Sequence, residues 1–115
     1  MTLIIDFTDK TSITICNVHI AKTFMRRFFG LMRRKTMGCG AMIFYKCNSI
    51  HTFFMRFPID VLYLDKNLNV VSYVCKLKPW KISASSLGAR TVIELPANTI
   101  TGKPYRVKLE NISQN

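Results

Sequence analysis

The sequence predicts a mainly β fold, a compact antiparallel sandwich or distorted barrel of about eight short strands with one short helix. Short runs rich in β-branched and aromatic residues recur along the chain, and polar turn residues separate them. Only the stretch from Ala21 to Arg34 shows helical spacing of its apolar residues. A chain of 115 residues has the size of one domain, so we expect residues 1–115 to fold around a single core.

The first third of the chain predicts a hairpin followed by the helix. Two β-prone runs, Leu3–Phe7 and Ser12–His19, flank a polar turn. In the stretch that follows, Thr23 is a suitable N-terminal cap, and Phe24 and Phe28 recur at the spacing of one helical face. We therefore expect the helix to pack against one end of the sheet.

The remainder of the chain predicts further short strands. The clearest hairpin joins Val61–Leu64 to Val70–Cys75 through the polar turn 65–69. Pro58 cannot donate to a strand ladder, so a bend or an edge position is expected there. Residues 76–87 are expected to be irregular. Further strands are predicted at Ala41–Tyr45, Ser49–Met55, Arg90–Leu95 and Tyr105–Glu110.

The charge of the chain is strongly positive and unevenly distributed. The formal net charge is +11, and no acidic residue occurs from Lys10 through Ile59. A one-signed field favours an anionic partner, either a small anionic ligand or an acidic protein surface, although a solvated basic face would give the same pattern. Nucleic acid is the less favoured partner, since aromatics near the basic segment 22–35 have helix-core spacing. That segment contains Arg26, Arg27, Arg33, Arg34 and Lys35.

The sequence predicts a soluble cytoplasmic protein. No apolar run approaches the ~20 residues of a membrane-spanning helix. The N-terminus lacks a basic start and soon meets Asp6 and Asp9, which makes it a poor signal peptide. The four cysteines show no disulfide framework, and each is most simply a small, buried apolar residue.

The segment from Cys47 to Asp60 is the strongest candidate for a site. It places a thiol, an imidazole, a guanidinium and a carboxylate among large apolar residues. Polar groups that are costly to bury alternate there with groups that favour burial, so the fold or a ligand must supply their partners.

The order of several motifs resembles the family called domain of unknown function 192. The resemblance covers about residues 13–112 and is strongest for the subgroup with a Cys-x-x-Ile-His-Thr-x-x-Met-Arg-Phe-Pro-Ile-Asp motif. It implies a compact, mostly β domain with one short helix, with no established activity, and a link to pilus or secretion machinery. The matching pieces are Phe-Phe-Gly-Leu-Met-Arg-Arg (28–34), Ala-Met-Ile-Phe (41–44), residues 47–60, the hairpin 61–71, Pro-Trp-Lys (79–81) and Val-Ile-Glu-Leu-Pro-Ala (92–97).

Three positions depart from the family pattern. Asn98 stands where the family has glycine, and asparagine is the next-best residue for a left-handed turn. Lys81 replaces an arginine, which removes a planar fork for anions. Lys108 lies near where a Gly-Asp pair usually precedes the last strand, so a role of that carboxylate is absent.

Four interpretations of the central motif remain open. Cys47 and His51 are candidate catalytic residues of a thiol enzyme, but four residues of extended strand span ~13 Å. Cys39, Cys47, His51 and Cys75 would suffice for zinc, although their spacing is not that of a zinc site, and neither a metal nor another cofactor is predicted. A purely structural interpretation pairs Arg56 with Asp60 across the bend at Pro58.

The interpretation that we carry forward is a non-enzymatic ligand- or protein-binding accessory module. Arginine supplies forked donors for an anion, and the single tryptophan supplies an apolar wall. The predicted binding residues are His51, Thr52, Arg56, Asp60 and Trp80.

Overall fold

The structure, a computed structural model, describes residues 1–21, 36–85 and 87–111. It is mainly β, as predicted, and those ranges contain ten strands in three sheets and no helix. The predicted helix from Ala21 to Arg34 lies outside the described residues, apart from Ala21. The strands are β1 (Thr2–Phe7), β2 (Ser12–Ile15), β3 (Val18–Ile20), β4 (Ala41–Tyr45), β5 (Ser49–His51), β6 (Ile59–Leu64), β7 (Val70–Leu77), β8 (Ile82–Ala84), β9 (Thr91–Pro96) and β10 (Pro104–Glu110).

Two of the sheets form a sandwich rather than a closed barrel. A three-stranded sheet in the order β10-β1-β2 packs on a five-stranded sheet in the order β3-β4-β9-β6-β7. An isolated bridge between Asn69 and Arg106 joins the two sheets along one side. The residues between the sheets form the first core: Leu3, Ile5, Phe7, Ala41, Ile43, Leu62, Leu64, Ile93, Leu95, Ile100 and Val107.

The five-stranded sheet is apolar on both faces. Every residue of β6 is buried, so alternate side chains of this strand enter two different cores. Leu62 and Leu64 belong to the first core, whereas Ile59, Val61 and Tyr63 belong to a second core on the opposite face. Other members of this second core include Met42, Phe44, Met55 and Val92.

The third sheet consists of β5 and β8 and lies on the side of the second core. The strands are antiparallel, with His51 opposite Ile82. The Tyr63 hydroxyl donates a hydrogen bond of 2.6 Å to the Ser83 hydroxyl, which ties β8 to the large sheet. Because Ile50 packs against the second core, the alternation of a strand places His51 and Ile82 on the outer face.

Most predicted strands are confirmed, and two differences have clear causes. The β1–β2 and β6–β7 hairpins pair as predicted. The run from Ser12 to His19 divides, because the Asn17 carbonyl accepts hydrogen bonds from the backbone of Gly40 and Ala41, and β3 then runs parallel to β4. The segment 76–87, predicted to be irregular, contains β8, whose partner strand β5 is distant in sequence.

Nowhere in the described part of the chain does a helix reach the length and apolarity needed to cross a membrane.

Candidate functional site

Thr52 connects the loop after β5 to the loop before β8 by hydrogen bonds. The residue is fully buried, and its hydroxyl donates to the Lys78 carbonyl at 2.7 Å and accepts from the Lys81 N–H at 2.9 Å. Its own N–H donates to the Lys81 carbonyl, and its carbonyl accepts from the N–H groups of Met55 and Trp80. Thr52 therefore fixes the position of the segment after β5 relative to the segment before β8.

The two loops that Thr52 joins carry an exposed group of rings. The ring centroids of Phe54 and Trp80 lie 4.6 Å apart, and those of Phe53 and Trp80 lie 6.0 Å apart. The His51 imidazole stacks on Phe53 at 5.0 Å. Ile82 extends this group, since it faces His51 across the β5–β8 ladder. We name these five residues the aromatic surface.

Large apolar side chains of the aromatic surface remain open to solvent. Phe54 is 44% exposed, Trp80 59% and Ile82 71%. Scattered single apolar residues on a surface are ordinary, but contiguous apolar patches mark interaction sites. Phe54 and Trp80 are in contact, and Ile82 joins the same group opposite His51, so this surface belongs to the second kind.

The backbone at the two most exposed rings is in an uncommon conformation. Phe54 has φ 63° and Trp80 has φ 65°, both in the left-handed region. For a non-glycine residue this conformation costs of order 1–3 kcal/mol and persists only where surrounding contacts fix it. The hydrogen bonds of Thr52 supply those contacts. Neighbouring rings held in this way are typical of a site that is organised before its partner arrives.

Three exposed cations lie close to the aromatic surface along the chain. Arg56, Lys78 and Lys81 are exposed. All six acidic residues of the chain lie within the described ranges, and none of them forms an ion pair with these three side chains. Asp60 and Glu94 are buried, and Asp6 pairs with Arg106 and Lys108. The other three are Asp9 and Asp65 in hairpin turns and Glu110 at the end of β10.

The predicted ion pair of Arg56 and Asp60 is wrong. Asp60 is fully buried, and its carboxylate accepts hydrogen bonds from the backbone N–H of Lys76 at 2.8 Å and of Ile100 at 2.9 Å. Alternation along β6 turns Asp60 toward the first core with Leu62, away from β5 and β8. Lys76 lies where the register between β6 and β7 shifts, and Ile100 lies in the loop after β9, so both backbone N–H groups can reach this carboxylate.

The structure therefore divides the five residues predicted to bind a ligand. His51 and Trp80 lie on the aromatic surface, Thr52 lies buried beneath it, and Arg56 follows the loop of Phe54. Asp60 lies on the other face of the large sheet.

The candidate catalytic pair makes separate contacts. The Cys47 thiol donates to the Ser49 carbonyl at 3.0 Å. The Nδ1 atom of His51 accepts from the Phe53 N–H at 3.2 Å. Neither contact joins the two side chains, and residues 49–51 are extended in β5, which separates them.

Two other interpretations concern metal and nucleic acid. Within residues 1–21, 36–85 and 87–111, no group of three or more His, Cys, Asp or Glu side chains could hold a metal ion. The basic cluster Arg26, Arg27, Arg33, Arg34 and Lys35 lies outside the described residues, so nucleic-acid binding through the segment 22–35 stays a prediction.

Glu94 is an acidic residue inside the second core. It is 4% exposed and lies opposite Met42 on β4 and Val61 on β6. Burial raises the pKa of its carboxyl from 4.5 to about 8. The raised pKa keeps the carboxyl protonated at neutral pH, and nothing in the motif around Cys47 indicated this residue.

A cavity of about 410 Å³ opens at the end of the second core. Its lining is mostly apolar and comes from the loop before β4, the bend at Pro58 within the central motif and the end of β9. None of the five predicted binding residues lines it. The lining residues are Thr36, Met37, Gly38, Cys39, Phe57, Pro58, Pro96 and Ala97.

Sequence reasoning missed Phe53, Phe54 and Ile82 as surface residues. The sequence predicted a continuous strand from Ser49 to Met55 and an irregular segment 76–87, which contains Ile82. The strand instead ends at His51, because the Thr52 carbonyl accepts the Met55 N–H and turns the chain. The only available signal was Trp80, a lone tryptophan after a proline in a segment without apolar periodicity.

The fold and the surface together define a small β-sandwich domain that presents organised aromatic side chains. The family DUF192, described as uncharacterized, has a profile that matches residues 5–106, and the chain belongs to that family. The family prediction is thereby confirmed, whereas the subgroup defined by the central motif stays a prediction.

Similar proteins from other organisms carry only the family name UPF0127. A UPF0127 protein of Pyrococcus horikoshii is 44% identical over 85 residues, which cover 69% of this chain and 71% of that protein. A UPF0127 protein of Thermococcus sibiricus is 38% identical over 89 residues, which cover 72% of this chain and 56% of that protein.

Two crystal structures share the fold. A candidate transcription regulator of Sinorhizobium meliloti superposes with a TM-score of 0.81 at 19% identity, covering 93% of this chain and 91% of that one. A protein of unknown function from Novosphingobium aromaticivorans gives 0.78 at 16% identity, covering 95% and 84%. At such identities the likeness concerns the fold alone.

Proposed function

We propose that this domain is a non-enzymatic protein-binding module that holds a peptide segment of its partner on the aromatic surface. The observation that carries the proposal is the pair Phe54 and Trp80, which are exposed, in contact at 4.6 Å, and both in the left-handed conformation. Large aromatic residues are the commonest anchors of protein interfaces, and fixing them in advance lowers the entropic cost of binding.

Thr52 supports a binding role for this surface. Its buried hydroxyl donates to the carbonyl of Lys78 and accepts from the N–H of Lys81, so this side chain has a positioning role. The loops that Thr52 positions bury little apolar surface, since Trp80 remains 59% exposed. A strained backbone that keeps Phe54 and Trp80 exposed is explained if a partner covers these rings.

The experiment is selection of a phage-displayed random peptide library on the whole chain. The test variant is Phe54→Asn with Trp80→Asn, since asparagine tolerates the left-handed backbone and keeps the loops. The matched control is Tyr45→Thr with Tyr105→Thr, which removes two exposed rings (38% and 43%) outside the aromatic surface.

We expect peptides to be enriched on the wild type and on the control, but not on the test variant. Equal enrichment on the test variant would place binding elsewhere and overturn the assignment of the surface. Enrichment on none of the three proteins would overturn the proposed function itself. Trp80, the only tryptophan of the chain, gives a direct fluorescence signal for peptide titrations on the wild type.

A further inference from the structure

We infer that the partner segment is acidic and carries an apolar side chain that packs against Phe54, Trp80 and Ile82. This inference rests on the proposed function and specifies the chemistry of the partner. It names an extended or loop segment of a protein in which carboxylates flank the apolar residue.

The first support is the charge around the aromatic surface. Arg56, Lys78 and Lys81 flank the rings in sequence, and all three are exposed. None of the six acidic side chains, all of which lie in the described ranges, forms an ion pair with any of the three cations. Carboxylates of a partner would pair with these three cations, and such opposite charges also raise the association rate.

The second support is the position of Asp65, the half-buried carboxylate in the β6–β7 turn. Leu77 pairs with Ile59 at one end of the β6–β7 hairpin, and Val70 pairs with Leu64 at the other. Asp65 follows Leu64, so it lies at the end of the hairpin away from Lys78 and Lys81. An acidic segment on the aromatic surface would therefore not lie beside Asp65.

The third support is the shape of the apolar centre. The planes of Phe54 and Trp80 are inclined by 56°, and their centroids are 4.6 Å apart. Rings that pack on each other in this way do not form the parallel, separated platform on which nucleic-acid bases stack. With the exposed Ile82 beside them, the rings favour an aliphatic or aromatic side chain.

The test begins with the peptides selected on the wild type. We expect them to contain an excess of Asp and Glu around an apolar residue. Their dissociation constants are then measured with a charge-reversed variant, Arg56→Glu with Lys78→Glu and Lys81→Glu. The matched control is Lys10→Glu with Lys66→Glu and Lys103→Glu, which changes the net charge equally at exposed turn and loop positions outside the aromatic surface.

The charge-reversed variant should bind at least about tenfold more weakly, and the control should stay within about threefold of the wild type, because screened charges outside the contact contribute little. Binding to the wild type should also weaken as salt is raised. Selected peptides without acidic residues, bound equally by the charge-reversed variant, would overturn this inference and leave the proposed function standing.

Two other probes test rival partners directly. A short single-stranded oligonucleotide and vesicles with anionic phospholipid are titrated against Trp80 fluorescence under the same conditions. Failure of both to compete with the selected peptides is the expected result. Tighter binding of either probe, lost in Phe54→Asn, which keeps Trp80 as the fluorophore, would overturn the acidic peptide as the partner.

Discussion

At the scale of single residues, the polar groups inside this protein show how differently a buried carboxyl can be accommodated. Asp60 receives two backbone N–H donors at 2.8 and 2.9 Å. Glu94 lies among apolar side chains, where burial of its charged form is so costly that its pKa rises to about 8. The first residue fixes backbone, whereas the second makes stability depend on pH.

We expect Glu94→Gln to stabilise the protein above neutral pH. A carboxyl whose pKa is 4.5 when unfolded and about 8 when folded contributes fully below about pH 4.5, and its contribution is lost as the pH rises toward 8. Urea unfolding at pH 5, 7 and 9 should show a wild type that loses on the order of a few kcal/mol relative to the variant. The control is Glu110→Gln, at an exposed residue, and parallel pH profiles of wild type and Glu94→Gln would contradict the prediction.

Thr52→Val should destabilise the fold by on the order of 2–3 kcal/mol. Valine matches threonine in shape but leaves the Lys78 carbonyl and the Lys81 N–H without the hydroxyl partner they have at 2.7 and 2.9 Å. Thr52→Ser retains the hydroxyl and is the matched control. Urea denaturation followed by Trp80 fluorescence measures both, and equal stability of the two variants would show that the hydroxyl does not hold the loops.

At the scale of elements, β5 and β8 differ from the strands of the sandwich in their role. Each has three residues, and their outer face carries Ile82, which is 71% exposed. A two-stranded sheet of this length is not stable alone. It is stabilised by Ile50 in the second core, by Tyr63 through Ser83, and by Thr52. The loops at its end can therefore present strained rings.

Phe54→Asn should be more stable than Phe54→Ala by about 1 kcal/mol. Both substitutions remove the ring and its contact with Trp80, but only alanine keeps the cost of a side chain at φ 63°. Both should lose peptide binding to a similar extent. The measurement is the free energy of unfolding of the two variants beside their peptide affinities, and a more stable alanine variant would argue against backbone strain at this position.

At the scale of the whole molecule, acidic residues act at the places where sheets and hairpins are closed. Asp6 accepts from the Ser12 hydroxyl of β2 at 2.9 Å and from the Arg106 guanidinium of β10 at 3.0 and 3.1 Å. The hydrogen bond from Ser12, and next those from Arg106, hold the pKa of Asp6 below its usual range. Hydrogen bonds in the turns likewise lower the pKa of Asp9 through Thr11 and of Asp65 through Asn69.

The stability of the protein should therefore reach its maximum between about pH 4 and 5. A lowered pKa gives stability that is present above the unfolded value of 3.8 and is lost as the pH falls through the folded value. The raised pKa of Glu94 removes stability in the opposite direction, from 4.5 toward about 8. Thermal melts from pH 2 to 9 measure the profile.

Two variants separate the acid side of that pH profile from its alkaline side. Asp6→Asn should reduce the loss on the acid side, and Glu94→Gln should reduce the loss on the alkaline side. A maximum near pH 7 in the wild type would contradict the assignment to Glu94, and an acid-side loss of the same size in Asp6→Asn would contradict the assignment to Asp6.

The sequence alone determined the family and most of the strands of the sandwich. The β6–β7 hairpin is predicted because β-branched runs flank a polar turn, which is a local signal. The left-handed turn at Asn98 was also predicted, and its φ is 70°. Such features depend on residues near in sequence, where backbone preference is sufficient.

Only the tertiary structure decided the site. Thr52 hydrogen-bonds residues 26 and 29 positions away, and Asp60 reaches Ile100, 40 positions away. Neither partner has a periodicity or a motif that marks it, because a backbone N–H or carbonyl belongs to every kind of residue. The motif around Cys47 and His51 indicated only that polar groups in residues 47–60 need partners. Which groups met, and that Phe54, Trp80 and Ile82 stayed in solvent, followed from how distant segments packed on the second core.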